Sequence, residues 1–273
     1  MNVYANGISM NYELNGDGPC LVLIHGFSDN LSMWYNQMSE FSKRYKILAY
    51  DVRGHGRTET PENEMSLELF ANDLKALLDA LDIEKASVLG YSMGGRIGLQ
   101  FALAYSEMTT GLILSNIGID GPDVQLNENQ ISLMEKHRRY LSNLLASQDI
   151  EAVATALAEQ SFTPELKIEH PEVLNKYKEI KLQNDPRYYP CVMQVMSEAM
   201  NIRPDFSLLK CPVLIIGGNQ DALMNTDVIE SMEKAIQHAT TRILPTGHAS
   251  AIEAPEMFNK VVLDFLEKIK NNK

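Results

Sequence analysis

The sequence predicts an α/β protein in which a mainly parallel sheet carries helices on both faces and is interrupted once by a wholly helical insertion. Three observations carry that expectation. Apolar strand-like runs alternate with helical stripes up to Ser115 and again from Val213, the pattern of a sheet built from crossover units. Between about Asp120 and Asp205 no strand-like run occurs. Finally, Gly90-Tyr91-Ser92-Met93-Gly94-Gly95 joins the apolar run Ala86-Ser87-Val88-Leu89 to a helical stretch beginning Arg96-Ile97, the strand–turn–helix setting of a nucleophile elbow.

The elements follow in order. Asn6-Gly7 between two strand-like runs is a hairpin signal. The second run, Ile8 to Leu14, alternates apolar and polar residues like an antiparallel strand with one wet face. Leu21-Val22-Leu23-Ile24 is continuously apolar, so it reads as a central strand covered on both faces. A helix carrying Trp34 is expected from Leu31 to Phe41, and a strand from Tyr45 to Tyr50. Ser66 caps a stripe of Leu67, Phe70, Leu74, Leu77, Leu78 and Leu81. After the elbow, Gly111 to Ser115 is another buried strand. The insertion offers helical stretches near 129–146, 149–162, 171–184 and 187–200, separated by Gln148-Asp149, Thr163-Pro164 and Asp185-Pro186. Strands return at Val213–Ile216 and Thr241–Leu244, and an amphipathic helix closes the chain from Pro255 to about Lys270. An insertion leaving from strand C-terminal ends should cover the site that such sheets place there.

Composition limits the function. A net charge of −12 argues against a nucleic-acid partner, because phosphate binding needs clustered Lys and Arg. Cys20, Cys191 and Cys211 are odd in number and far apart, which fits neither a disulfide framework nor a metal site. Cys20 and Cys211 begin apolar runs and read as buried thiols. No stretch approaches a membrane span or a secretory signal, so a cytoplasmic location is expected. A homodimer is compatible with the sequence.

Ser92 needs a base for its proton, and the base needs a third group to fix its tautomer. His248, in a loop after the last strand, is the expected base, and Asp221, in the loop after the preceding strand, the expected acid. The order Ser92, Asp221, His248 is that of one known hydrolase arrangement. His25 and His55 also follow strands but are expected to shape loops, while His137, His170 and His238 fall in helical segments. Asp51 and Arg53 are expected to pair structurally, and Asp227 to start a helix. Ser115 and Asn116 stand after the strand where some hydrolases keep the acid. Oxyanion donors are expected from the backbone N–H groups of Met93 and Phe27. Met134, Leu141, Leu144, Leu145, Val192, Met193 and Met196 are candidates for the pocket wall.

With these residues in view, the chain resembles the α/β-hydrolase superfamily over nearly its whole length. His25-Gly26-Phe27, Asp51-Val52-Arg53-Gly54-His55-Gly56, Gly90 to Gly95, Gly217 to Asp221 and Gly247-His248 fall in that family's order. The resemblance implies a mostly parallel, twisted eight-stranded sheet flanked by helices. It implies a core of residues 1–119 and 206–273 and a helical cap, 120–205, inserted after the sixth strand. Within the superfamily the chain is similar to small capped serine hydrolases. Epoxide hydrolases and haloalkane dehalogenases use an aspartate at the elbow, where this chain has Ser92. Carbon–carbon hydrolases of the meta-cleavage type often carry a tryptophan where this chain has Ala249. The expected activity is hydrolysis of carboxylic esters of small to medium acyl chain through an acyl-enzyme, with no metal or organic cofactor and a small-molecule ester as substrate. An enol-lactonase, a carbon–carbon hydrolase of vinylogous diketones or a thioesterase would use the same residues, and a non-enzymatic receptor would retain only the fold.

Overall fold

The computed structural model describes residues 1–271 apart from 62–64, 119–127, 147–148, 200–201, 203, 225 and 237, and in the helix at 128–146 the side chains of 128–131, 133–135, 137 and 138 also lie outside the described residues. Among the described residues one sheet of eight strands is formed in the order β1-β2-β4-β3-β5-β6-β7-β8. The strands are β1 (Asn2–Ala5), β2 (Ile8–Asn15), β3 (Cys20–Ile24), β4 (Lys46–Tyr50), β5 (Ala86–Tyr91), β6 (Thr109–Ser115), β7 (Val213–Gly218) and β8 (Ala239–Leu244). β1 pairs antiparallel with β2, and β2 with β4; every later pairing is parallel. The Asn6-Gly7 turn has both residues at positive φ, +48° and +78°, as a tight two-residue hairpin requires.

The central strand β3, Cys-Leu-Val-Leu-Ile, is apolar and buried throughout because both its faces are covered. In β3, Val22 and Ile24 pack into one core while Leu21 and Leu23 pack into the other, the two-residue alternation of a strand made visible. Each such side chain taken from water contributes about 1.5–3 kcal/mol before entropy is counted. One face is covered by α2 (Leu67–Ala80) and α3 (Met93–Ala104), the other by α1 (Tyr35–Phe41), α10 (Ser250–Glu253) and α11 (Pro255–Asn271). Helix α9 (Thr226–Ala235) lies between β7 and β8 in sequence and contains Asp227 in its first turn. Ser66 caps α2 by accepting from the Leu69 N–H at 3.0 Å. The segment expected as one helix from Leu31 to Phe41 begins as a 3₁₀ turn, Leu31–Trp34, because Asn30 accepts from the Ser32 N–H. Cys20 and Cys211 are buried.

The insertion between β6 and β7 contains α4 (Glu128–Ala146), α5 (Ile150–Gln160), α6 (Pro164–Glu169), α7 (Pro171–Lys181) and α8 (Tyr189–Ala199). Helix α6 was not expected from the sequence, where Thr163-Pro164 reads as a separator. Here Pro164 is the first helical residue and the Thr163 hydroxyl accepts from the Leu166 N–H, and proline starts helices as readily as it ends them. The insertion is tied down next to the elbow. The Arg96 guanidinium of α3 donates to the carbonyls of Gly118, after β6, and Ala199, at the end of α8. Among the described residues no helix is long and apolar enough to cross a membrane.

Candidate active site

Ser92 lies between β5 and α3 with φ +51° and ψ −113°, a left-handed conformation that costs a non-glycine residue energy and persists only where its surroundings impose it. Two close approaches impose it. A Cβ on Gly90 would stand 2.1 Å from the Gly94 carbonyl oxygen, and one on Gly94 2.2 Å from that of Ile24. Glycine is therefore required at both positions. The Ser92 N–H donates to the Ser115 carbonyl at 2.9 Å, so the turn is also bound to the neighbouring strand end.

The other two residues arrive on loops after β7 and β8. The loops are joined by backbone bonds from Asn219 N to Leu244 O and from Gln220 N to Thr246 O. His248 Nε2 is 3.0 Å from Ser92 Oγ, and His248 Nδ1 is 2.8 Å from Asp221 Oδ2. Asp221 Oδ1 accepts from the N–H groups of Leu223 and Met224, both at 2.9 Å. Asn116 Nδ2 donates to Asp221 Oδ2 at 3.2 Å and to the Gly247 carbonyl at 3.3 Å. Burial by itself would raise the Asp221 carboxyl, but the His248 imidazole and these donors outweigh it and hold the acid below its ordinary range. With Asp221 ionised, His248 Nδ1 carries the proton and Nε2 faces the serine hydroxyl. The Tyr91 ring packs against the imidazole at 5.2 Å.

The loop after β3 runs beside the serine. Neither the Phe27 nor the Met93 N–H has a hydrogen-bond partner among the described residues, so both donors expected for an oxyanion are unspent. The two histidines that flank this loop are acceptors. His25 Nε2 accepts from the Val52 N–H at 3.0 Å and its Nδ1 donates to the Gly26 carbonyl. His55 Nε2 accepts from the Ser28 N–H at 3.1 Å. Burial lowers both imidazoles from their ordinary value of 6.5, so both are neutral braces. His170 lies on the surface against Glu172, His238 bonds to the Cys211 carbonyl, and the His137 side chain lies outside the described residues.

The expected pairing of Asp51 with Arg53 is corrected. Arg53 makes a two-point ion pair with Asp73 of α2, at 2.8 and 2.7 Å. Asp51 accepts instead from Asn11 Nδ2 and from the N–H groups of Leu31 and Arg57. The two carboxylates occupy different elements, and the guanidinium reaches the helix rather than its own loop.

The apolar candidates divide. Leu145 is buried with Val153 and Tyr189, against Phe27, Leu144 and Met193, which puts insertion side chains over the loop beside Ser92. Val192 is buried and Met196 half-buried within the core that reaches α2 and α3, and Leu141 is buried. The Met134 side chain lies outside the described residues. The sequence reading missed two features. One is the bond from Asn116 to Asp221; the other is a buried cluster of Asp29, Lys181 and Tyr177 at the base of the insertion. Among the described residues no group of three His, Cys, Asp or Glu side chains is arranged to hold a metal ion.

A family model described as alpha/beta hydrolase fold matches residues 19–255. The chain is 29% identical over 260 residues to 3-oxoadipate enol-lactonase 2 of Acinetobacter baylyi, covering 94% of this chain and 93% of that protein. The crystal structure of the enol-lactonase from Burkholderia xenovorans LB400 superposes with a TM-score of 0.84 at 28% identity, over 98% of this chain and all of that one. The structure of Est816, described as an N-acyl homoserine lactone degrading enzyme, has a TM-score of 0.81 at 26% identity, over 97% of this chain and all of that one.

Proposed function

The chain belongs to the α/β-hydrolase fold family, and from that membership we propose that it is a serine hydrolase of carboxylic esters with small to medium acyl chains. The observation that carries the reading is the unbroken relay from Asp221 through His248 to Ser92 Oγ, at 2.8 and 3.0 Å, beside two unspent backbone donors. Ser92 attacks the acyl carbon as His248 Nε2 takes its proton. Asp221 fixes the tautomer and stabilises the imidazolium. The Phe27 and Met93 N–H groups hold the oxyanion, and loss of either donor would cost about 2.7–4 kcal/mol in the transition state. His248 then protonates the departing alcohol and activates water against the acyl-enzyme. In this reading residues 1–119 and 206–273 are the core domain and 120–205 the cap. Met134, Leu141, Leu145, Val192 and Met196 shape the acyl pocket.

A second reading takes an enol-lactone as the ester. Both enol-lactonases align over nearly the full chain, and a lactone presents the same acyl carbon to the same serine. Hydrolysis of p-nitrophenyl esters from acetyl to palmitoyl, by wild type and Ser92→Ala, tests the proposal. Wild-type turnover with an optimum at short or medium chains, abolished in the variant, is expected. No turnover on any of these esters, with turnover of an enol-lactone that Ser92→Ala abolishes, would replace the first reading by the second.

A further inference from the structure

We propose that Lys181, at the end of α7, is a positioning residue for the loop Gly26–Asn30. Its buried ammonium sets where the Phe27 N–H stands relative to Ser92. The inference rests on the serine-hydrolase reading, because it concerns the oxyanion donor that reading invokes.

Lys181 Nζ lies 2.6 Å from Asp29 Oδ1 and 3.0 Å from Ser28 Oγ. The two charged side chains are 3% and 1% exposed. The other Asp29 oxygen accepts from the Tyr177 hydroxyl at 2.9 Å, and the ammonium stands 4.1 Å from the Tyr177 ring centre. The same stretch of insertion reaches the loop by uncharged bonds. Asn184 Nδ2 donates to the Ser28 carbonyl at 2.8 Å, and Asn30 Nδ2 donates to the Ile180 carbonyl at 2.9 Å. Every one of these contacts falls within two residues of Phe27 or on the residue after that. Gly26 to Asp29 closes a turn around Phe27 through the Asp29 N–H to the Gly26 carbonyl at 3.2 Å, and within it Ser28 sits at φ +63°, a strained form that persists where its surroundings impose it.

The energetics favour positioning over adhesion. Burying an ion pair yields little net stability, because desolvation offsets the attraction, and apolar side chains could fasten the insertion as well. An ion pair with directional bonds to two successive loop residues does something apolar packing cannot. It selects one loop geometry, and it makes that geometry depend on the insertion being seated. The cap thereby completes the oxyanion site without touching the reacting atoms.

The test uses the full-length protein, p-nitrophenyl butyrate as substrate and an alkyl trifluoromethyl ketone, whose serine adduct places a negative oxygen in the oxyanion site. Circular dichroism and thermal unfolding identify folded variants. In Lys181→Met, kcat should fall about 10–100-fold, short of the 10²–10³ typical of a deleted donor, with KM within about threefold. Affinity for the ketone should weaken in parallel with kcat. A cap that is merely loosened would raise KM and leave the ketone's affinity relative to substrate unchanged, which overturns the proposal, as does wild-type kcat in folded Lys181→Met. Should Lys181→Met fail to fold, the double variant Asp29→Asn/Lys181→Met removes the ion pair without leaving a buried charge unpaired. It is then expected to lower kcat and ketone affinity together by about 10–100-fold, again short of a deleted donor, and an unchanged kcat there overturns the proposal. Absence of wild-type turnover and of ketone binding would remove the serine-hydrolase reading itself, and the inference with it.

Discussion

Asp221 receives bonds from His248 Nδ1, Asn116 Nδ2 and the N–H groups of Leu223 and Met224. Three of those donors are neutral amides, so the orientation of the carboxylate does not depend on the imidazole alone. If it acts as proposed, Asp221→Asn should preserve the fold and lower kcat by about 10⁴-fold, because an amide facing Nδ1 favours the wrong histidine tautomer. Steady-state kinetics with the chosen ester measure this, and near-normal turnover would move the acid role elsewhere. Ser92, Asp221 and His248 were legible in the sequence because each stands just past the end of a strand, a local feature. Asn116 was visible as a polar residue at a known position, yet its partner lies 105 residues away. Asp29 and Lys181 lie 152 apart, and neither occupies a motif, so nothing local announces the pair. Arg53 misled for a related reason: two residues from Asp51, it nevertheless bonds to a helix.

The loops after β3 and β4 form the element on which the site rests, and their histidines make it sensitive to acid. His25 and His55 use Nε2 to accept backbone N–H groups, so protonation would set donor against donor. His25 is faced by Asp51 and Asp29, which favour its protonation, and by Lys181, which opposes it; burial outweighs them. Both folded values lie below the unfolded 6.5, so below that pH the unfolded chain binds more protons than the fold. Stability should then decline as pH falls from about 6.5, by up to ~1.4 kcal/mol per pH unit for each imidazole, until the folded values are reached. Asp221 adds to the loss only below its ordinary 3.8, so the windows separate. Thermal midpoints between pH 7.5 and 5 should fall, and His55→Gln, which keeps an acceptor, should flatten the slope. A midpoint independent of pH in this window would contradict the account. At this scale the strands from β3 to β7 were read to within two residues at each end, because apolar runs mark strands with two covered faces. Helix α6 was missed because Pro164 signals both an end and a beginning.

Across the molecule, the site lies where β3, β5, β7 and β8 end, and the insertion, leaving after β6, packs Tyr189 against Phe27 beside it. The division into a sheet and a helical insertion was legible because the hydrophobic period changes near Asp120 and changes back near Val213. How the insertion is seated was not, since that depends on Arg96, Lys181 and Asn184 reaching across the fold. The acyl preference likewise depends on which insertion side chains turn inward, a property of packing rather than of pattern. In the proposed mechanism Ser92 carries the acyl group between two steps. Rapid mixing with p-nitrophenyl butyrate, followed by acid quench, proteolysis and mass spectrometry, would trap it. A burst of p-nitrophenol approaching one equivalent per chain is expected when deacylation is slow, with a butyryl group on the peptide containing Ser92 that is absent in Ser92→Ala. Turnover with an acyl group on another residue, or undiminished turnover in Ser92→Ala, would contradict it.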